Sequence, residues 1–419
     1  MAIIRNIIVG INDAPLTTMV SVLWPVSIVC MHFVIVEPII LPVLTFPLIA
    51  IWLIFNAKFD IYVLLCAFTC IVYAALLGGY SNDAIEFIKS FVLFFVFISM
   101  LLLVSKTKAI NPMFFEVSVK IFIWLAVLVA LLTLTQSIAL NVFTNYSFMN
   151  PFGDFGRVGP GGQVYTPHPE ALLKKSNAVF SEPSVCGWFL VLAAAIVIAW
   201  NRHRKSFHAA IPFVLLLGAV LTGALSGLFN AILLLLCWAY LTPNGFKGVL
   251  TKTLLYFLVI STVVGLLSFE PIAHRFGDID LEGSSVYYRV VAPLMLLRDS
   301  LPEYPFGHAL GQTDYIASKA YMVNWEGGKQ FGIHNSFFLI SYYFGIVGVI
   351  ISCLCMYIVF RSILKKKCIS LILLALMLVL LETGGLWSPE ISLLLVYCTL
   401  LMKYFNQLDQ PTCFQQEKP

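Results

Sequence analysis

The sequence predicts an all-α fold: a polytopic bundle of about twelve transmembrane helices carrying two long loops on one side of the membrane. Three observations predict it. The 419 residues are 60% hydrophobic and 11% charged, with a mean hydropathy of +0.94, more apolar surface than a soluble domain can cover. The apolar residues gather into runs long enough to enter a bilayer. Lysine and arginine avoid every second short loop.

Taken in order, spans are expected near residues 17–36, 39–56, 61–77, 87–104, 117–140, 184–200, 208–222, 227–242, 253–269, 335–360, 368–382 and 389–405. Residues 1–419 are read as one membrane domain. Met1–Leu16 lacks the charged, apolar and small-residue succession of a cleavable signal, so the first span is expected to be its own insertion signal. Pro38, Pro42 and Pro47 are expected to bend the second span, which neighbouring helices can accommodate. The ten cysteines show no zinc or disulfide spacing. Those within apolar runs, Cys66/Cys70 and Cys353/Cys355 among them, read as small buried hydrophobes.

Orientation follows from the short loops. One set carries Arg5, Lys58, Lys106, Lys108, Arg202, Arg204, Lys205 and the cluster from Arg361 to Lys367, whereas loops 37–38, 78–86, 223–226 and 383–388 carry no lysine or arginine. Both termini are therefore expected in the cytoplasm, and the long loops, about 141–183 and 269–335, on the far side.

The first long loop is rich in Gly, Pro and Asn and is expected to be irregular. It ends at Glu182-Pro183, an acid at the membrane boundary followed by a proline suited to a first helical turn. Glu182 is either a carboxylate favoured by the helix dipole or a catalytic or sugar-binding acid. Leu221–Gly227, LTGALSG, is a small-residue hairpin without ionisable groups, and close helix packing is expected there.

The second long loop is where the chemistry concentrates. Thirteen formally charged side chains lie between Phe269 and Asn335, each costing about 2.5–3.5 kcal/mol at mid-bilayer. The segment therefore belongs in water or at the interface. Val286, Val290, Leu294, Leu297 and Leu301 recur at helical spacing, predicting an interfacial amphipathic helix bent at Pro293. Arg289 and Arg298 on it are either snorkelling anchors or ligands. A glycine turn at Pro305–Gly311 follows, then Tyr315, Tyr321 and Trp325. His334-Asn335-Ser336 stands where the chain re-enters the membrane.

Paired guanidiniums at that depth suit a diphosphate, which they can bind in bidentate fashion. A nearby histidine or carboxylate can take a proton from an attacking hydroxyl. Tyr and Trp, including Tyr288 and Trp325, offer flat amphipathic faces for sugars. The sequence has no P-loop, dinucleotide motif or acidic metal cluster. A lipid diphosphate carrying a glycan, attacked by a sugar hydroxyl, fits these features without a metal or cofactor.

At this point AVFSEPS, LTGALSG, RFGDIDLEGSSVYYRVVAPL and GGLWSPEISLLL, in that order, make the chain resemble the O-antigen polymerase/ligase superfamily. It is most similar there to the colanic-acid and related exopolysaccharide polymerases. The resemblance runs from about Lys175 to the last span; the first five spans match in hydropathy alone. It implies a GT-C-like, inverting, metal-independent glycosyltransferase of the bacterial inner membrane. The expected donor is a glycan on undecaprenyl diphosphate, and a chain-length regulator is a possible protein partner; nucleic acid is not expected.

By the same resemblance, Arg275 and Arg289 match arginines that bind the lipid diphosphate, and His334 matches a histidine that activates the acceptor. Lys175 stands where arginine is usual. The family's arginine in the small-residue hairpin is missing from LTGALSG, which shifts weight to Lys175 and Glu182. Arg298, Tyr288, Trp325 and Glu390, the last within GGLWSPEISLLL, complete the expected substrate contacts. Two alternatives share the topology: a ligase passing the glycan to lipid A-core, and a flippase for lipid-linked glycan.

Overall fold

The computed structural model describes residues 13–32, 34–36, 39–57, 61–79, 81, 83–107, 111–145, 174–204, 206–243, 246–267, 287–322, 332–367 and 369–409. Its helices are α1 (Asp13–Val29), α2 (Leu41–Asn56), α3 (Ile61–Gly78), α4 (Ala84–Ser105), α5 (Pro112–Asn141), α6 (Pro183–Arg204), α7 (Ile211–Leu221), α8 (Leu225–Leu241), α9 (Phe246–Leu267), α10 (Ala292–Glu303), α11 (Asp314–Ala317), α12 (Ser336–Leu364), α13 (Ser370–Glu382) and α14 (Pro389–Leu408). The expected all-helical class holds for the bundle. One addition is a short antiparallel pairing of β1 (Val34–Val36) with β2 (Ile39–Ile40), between α1 and α2.

Among the described residues five helices, α4, α5, α6, α12 (counted end to end across its break) and α14, are long and apolar enough to cross a membrane, and seven shorter apolar helices lie at the other expected positions. The shortness matters for the site. At 1.5 Å per residue, the 11 residues of α7 and 13 of α13 extend about 17 and 20 Å, against a hydrocarbon core of about 30 Å. Helix α6 occupies the centre, with most of its apolar window buried inside the protein, whereas α4 is largely exposed.

Close packing around α6 depends on missing side chains. A Cβ on Gly187 would press against the Gly227 backbone, and one on Gly227 against the Ala219 carbonyl. This is the small-residue packing expected of LTGALSG. An aromatic core locks the first helices to the last: Trp24 meets Trp52 and Tyr397 at centroid distances of 6.1 and 5.6 Å. Trp24 Nε1 also donates to the Leu393 carbonyl at 3.1 Å.

Helix ends sort onto two faces as the loop charges require. On the basic face Lys403 Nζ donates to the Ser105 and Thr107 carbonyls (3.0 and 2.6 Å), and Arg204 pairs with Glu116 at 2.9 Å. On the opposite face Asn141, at the end of α5, exchanges two hydrogen bonds with the Lys174 backbone (2.9 and 2.8 Å).

Three expectations need correction. The run read as one span, 335–360, is a helical hairpin. Gly345 has non-helical φ 55° and ψ −135° inside α12, and Ser352 Oγ donates to the Phe337 carbonyl at 3.2 Å. Fifteen residues along a straight helix span about 22 Å, so residues 336–344 must fold back on 346–364. The expected amphipathic stripe is also split. Residues Tyr287–Val291 form a π-helical turn before α10, and the extra residue per turn rotates the stripe. Val290 and Leu294 are exposed while Leu296 and Leu297 are buried; Val286 lies outside the described residues. Finally, Cys353 and Cys355 are exposed, on the outer surface of arm 346–364.

Candidate active site

Four helix ends converge on the face opposite the basic one. The last residues of the first long loop, expected to be irregular, are stitched into this convergence. Ser176 donates through its backbone to the Thr222 carbonyl (3.1 Å) and through Oγ to the Leu221 carbonyl (2.7 Å). Gln136 Oε1 accepts from the backbone of Asn177 and Ala178 at 3.0 and 2.8 Å. Ser181 N donates to His32 Nδ1 at 3.3 Å. Lys175 is half-buried within this stitched segment.

That anchoring delivers Glu182 to the start of α6, with Pro183 the first helical residue as expected. Ser184 Oγ donates to Glu182 Oε2 at 3.0 Å. Arg289 reaches the same place from the π-helical turn, a backbone irregularity frequent at functional positions. Its Nη2 donates to Ser184 Oγ at 3.4 Å and stands 4.0 Å from Glu182 Oε2, with the Arg289 side chain 21% exposed. A guanidinium so engaged points toward the start of α6.

His334 completes the corner. Asn335 Nδ2 donates to the Arg289 carbonyl at 3.2 Å, while Asn335 Oδ1 accepts from the backbone of Phe337 and Phe338 as the N-cap of α12. Burial pushes the His334 imidazole below the ordinary histidine range; the charge of Arg289 pushes the same way and that of Glu182 opposes it. The ring is thus neutral at neutral pH, the form that accepts a proton. Phe337 lies level with Ser352, so the corner sits about 9 Å below the start of arm 346–364 by helix rise. His334 was expected at the boundary; the hairpin sinks it into the bundle.

The structure adds residues that the sequence reading passed over. Asn230 Nδ2 on α8 donates to Glu382 Oε1 at 2.6 Å, at the end of α13. Ser336 Oγ donates to the Thr383 carbonyl at 2.5 Å, and Gly384 packs against Ile333 and His334. The signal was present: an asparagine inside an apolar run and an acid closing another are costly in a membrane and need partners.

The other candidates differ in their surroundings. Arg298 is 72% exposed and forks onto Asp299 Oδ1 (3.2 Å from both Nε and Nη2), in a surface group with Tyr321 and Lys319. Tyr288 is buried, edge-to-face on Tyr287 at 5.4 Å. Glu390 sits in the first turn of α14 beside Pro389, a carboxylate favoured by the helix dipole. Arg275 and Trp325 lie outside the described residues. Among the described residues no group of three His, Cys, Asp or Glu side chains is arranged to hold a metal ion.

What gathers is a guanidinium, two carboxylates and a neutral imidazole, recessed at one end of the bundle: an anion contact beside a base. Against known proteins, the profile of the WcaD colanic acid polymerase family matches residues 19–404. A protein of Escherichia coli K12 named "putative colanic acid polymerase" is 30% identical over 246 residues, covering 56% of this chain and 58% of that protein.

Proposed function

The chain belongs to the WcaD colanic acid polymerase family, and from that premise we propose that it is an inner-membrane polymerase of exopolysaccharide repeat units. The donor is a growing glycan on undecaprenyl diphosphate, and a second lipid-linked repeat unit supplies the attacking hydroxyl. That hydroxyl oxygen bonds to the anomeric carbon as the carbon–oxygen bond to the diphosphate breaks. One displacement inverts the centre. The hydroxyl proton passes to His334, and undecaprenyl diphosphate leaves with the bonding electrons.

The observation that carries this reading is the Arg289–Ser184–Glu182 contact set tied through Asn335 to a neutral His334. Arg289 faces the leaving diphosphate, where a preorganised donor is most effective. Because Glu182 shares its charge, a diphosphate needs further cations, and Lys175 and Arg275 are proposed for that part. Glu182 is the second choice of base.

Deletion of the gene, with analysis of the surface glycan, tests the proposal. Single repeat units in place of long chains are expected, and purified protein should lengthen lipid-linked repeat units. Long chains in the deletion strain would overturn it. Polymerisation is expected to continue in excess EDTA with membrane and substrates intact; a loss restored by one divalent ion would overturn the metal-independent mechanism.

A further inference from the structure

Glu382 closes α13 at the convergence of helix ends, and nothing in the proposed chemistry uses it. Its carboxylate is enclosed. Oε1 accepts from Asn230 Nδ2 at 2.6 Å, and the Ser226 hydroxyl faces the same carboxylate. A carboxylate enclosed in an apolar bundle is costly unless it is paired, so its partners are informative. Asn230 and Ser226 lie one helical turn apart on the first turns of α8, whose N-cap Ala224 supplies no side-chain cap. The carboxylate therefore rests against the positive end of a helix.

From that seat its charge acts on Arg289. The backbone beyond it reaches the same corner: the Thr383 carbonyl accepts from Ser336 Oγ, next to Asn335, which holds the Arg289 carbonyl. Glu182 stands 4.0 Å from the guanidinium on α6. Arg289 thus lies under the influence of two carboxylates from different helices, one half-exposed and one enclosed.

We propose that Glu382 is a positioning residue for Arg289: seated by Asn230 on α8, its carboxylate orients the guanidinium toward the diphosphate of the donor lipid. The assignment rests on the polymerase reading for the identity of the anion, but not for the coupling between the two residues. An enclosed, hydrogen-bonded carboxylate has little freedom, and that is the property that aims a flexible arginine.

The test uses the purified full-length chain in lipid nanodiscs. Glu382→Gln retains the shape and a partner for Asn230 but withdraws the carboxylate. Chain growth on lipid-linked repeat units is expected to fall about ten- to a hundredfold, the size of losing a residue that supports a site contact from behind. The melting temperature should be nearly unchanged, and Glu382→Asp should recover part of the rate. The deciding measurement is a double-mutant cycle on the affinity for undecaprenyl diphosphate. In an Arg289→Lys background, Glu382→Gln should have little further effect, because it acts through the arginine.

Additive effects, or wild-type rate and affinity in Glu382→Gln, would overturn the proposal. Should Glu382→Gln not fold, Asn230→Asp, which unseats the carboxylate from the other side, enters the same cycle and is read in the same way. A wild-type chain that forms no polymer but shows the non-additive affinities would sink the polymerase reading and leave Glu382 assigned. Polymer formation with additive affinities would do the reverse.

Discussion

Arg289 separates two physical roles that look identical in a sequence. An anchor would place its guanidinium at headgroups, where lysine serves as well. Here the guanidinium is directed inward onto Ser184 and Glu182, and lysine loses the planar fork. Arg289→Ala is expected to lower turnover by about 10²–10³, with normal membrane insertion, and Arg289→Lys by less; near-wild-type chain formation by both would remove Arg289 from the site. The neighbouring charges also set a sign for His334. Burial and Arg289 lower its proton affinity while Glu182 raises it, so activity should persist into acid below the ordinary histidine range before the base protonates. Glu182→Gln removes the opposing influence and should move the acid limb of the pH–rate profile to lower pH. A shift to higher pH would show that Glu182 does not act on His334 in this way.

At the scale of elements, sequence pattern located the helices well because hydrophobic length and loop charge are local signals. It could not find the reversal at Gly345, since an apolar run reads the same whether straight or folded back. The reversal is stabilised from outside the run. The turn Pro305–Gly311 docks into the break: Ile346 N donates to the Pro305 carbonyl (2.9 Å), and His308 N to the Tyr342 carbonyl (3.2 Å). These bonds satisfy groups that an unbroken helix would have paired internally. His308 is buried there, stacked 4.2 Å from Tyr342 and bonded to Ser300 Oγ at 3.0 Å. Burial pushes its pKa down to about 4. Its folded pKa lies below the unfolded one, so the stability it contributes is present above the ordinary histidine pKa and is lost as pH falls toward 4. Hydrogen-exchange protection factors across 304–317, with the intrinsic pH dependence of exchange divided out, should therefore fall between about pH 6.5 and 4, and His308→Gln should flatten that dependence. A second element-level test is Gly384→Ala, whose Cβ would overlap the Ile333 carbonyl beside His334. It should lower turnover more than it lowers thermal stability, because it displaces the base without emptying the core; an unchanged rate would dissociate the end of α13 from the site.

For the whole molecule, the two faces and the depth of the site follow from different evidence and can be tested together. Lysine and arginine spacing in the sequence sorts the loops into two sets, and the contacts of Lys403 and Arg204 place the ends of α4, α6 and α14 on one face. Depth was legible in the sequence only in part: the spans at 208–222 and 368–382 are already short there, whereas the hairpin in α12 leaves no mark in an apolar run. Three single cysteines in a cysteine-free background distinguish these statements. Phe143 is 70% exposed beyond α5, Gly332 is open two residues before His334, and Lys365 is exposed after arm 346–364. A small impermeant thiol reagent applied from outside the cell is expected to modify Phe143→Cys and Gly332→Cys and to spare Lys365→Cys. A bulky polymer-linked maleimide should still reach position 143 yet react poorly at 332, because the approach to His334 lies about 9 Å below the start of the long arm by helix rise. Modification of position 365 from outside would invert the orientation. Equal reaction of the bulky reagent at 143 and 332 would place the site at the surface, where a lipid diphosphate would meet water rather than the enclosed corner formed by Glu182, Arg289 and His334.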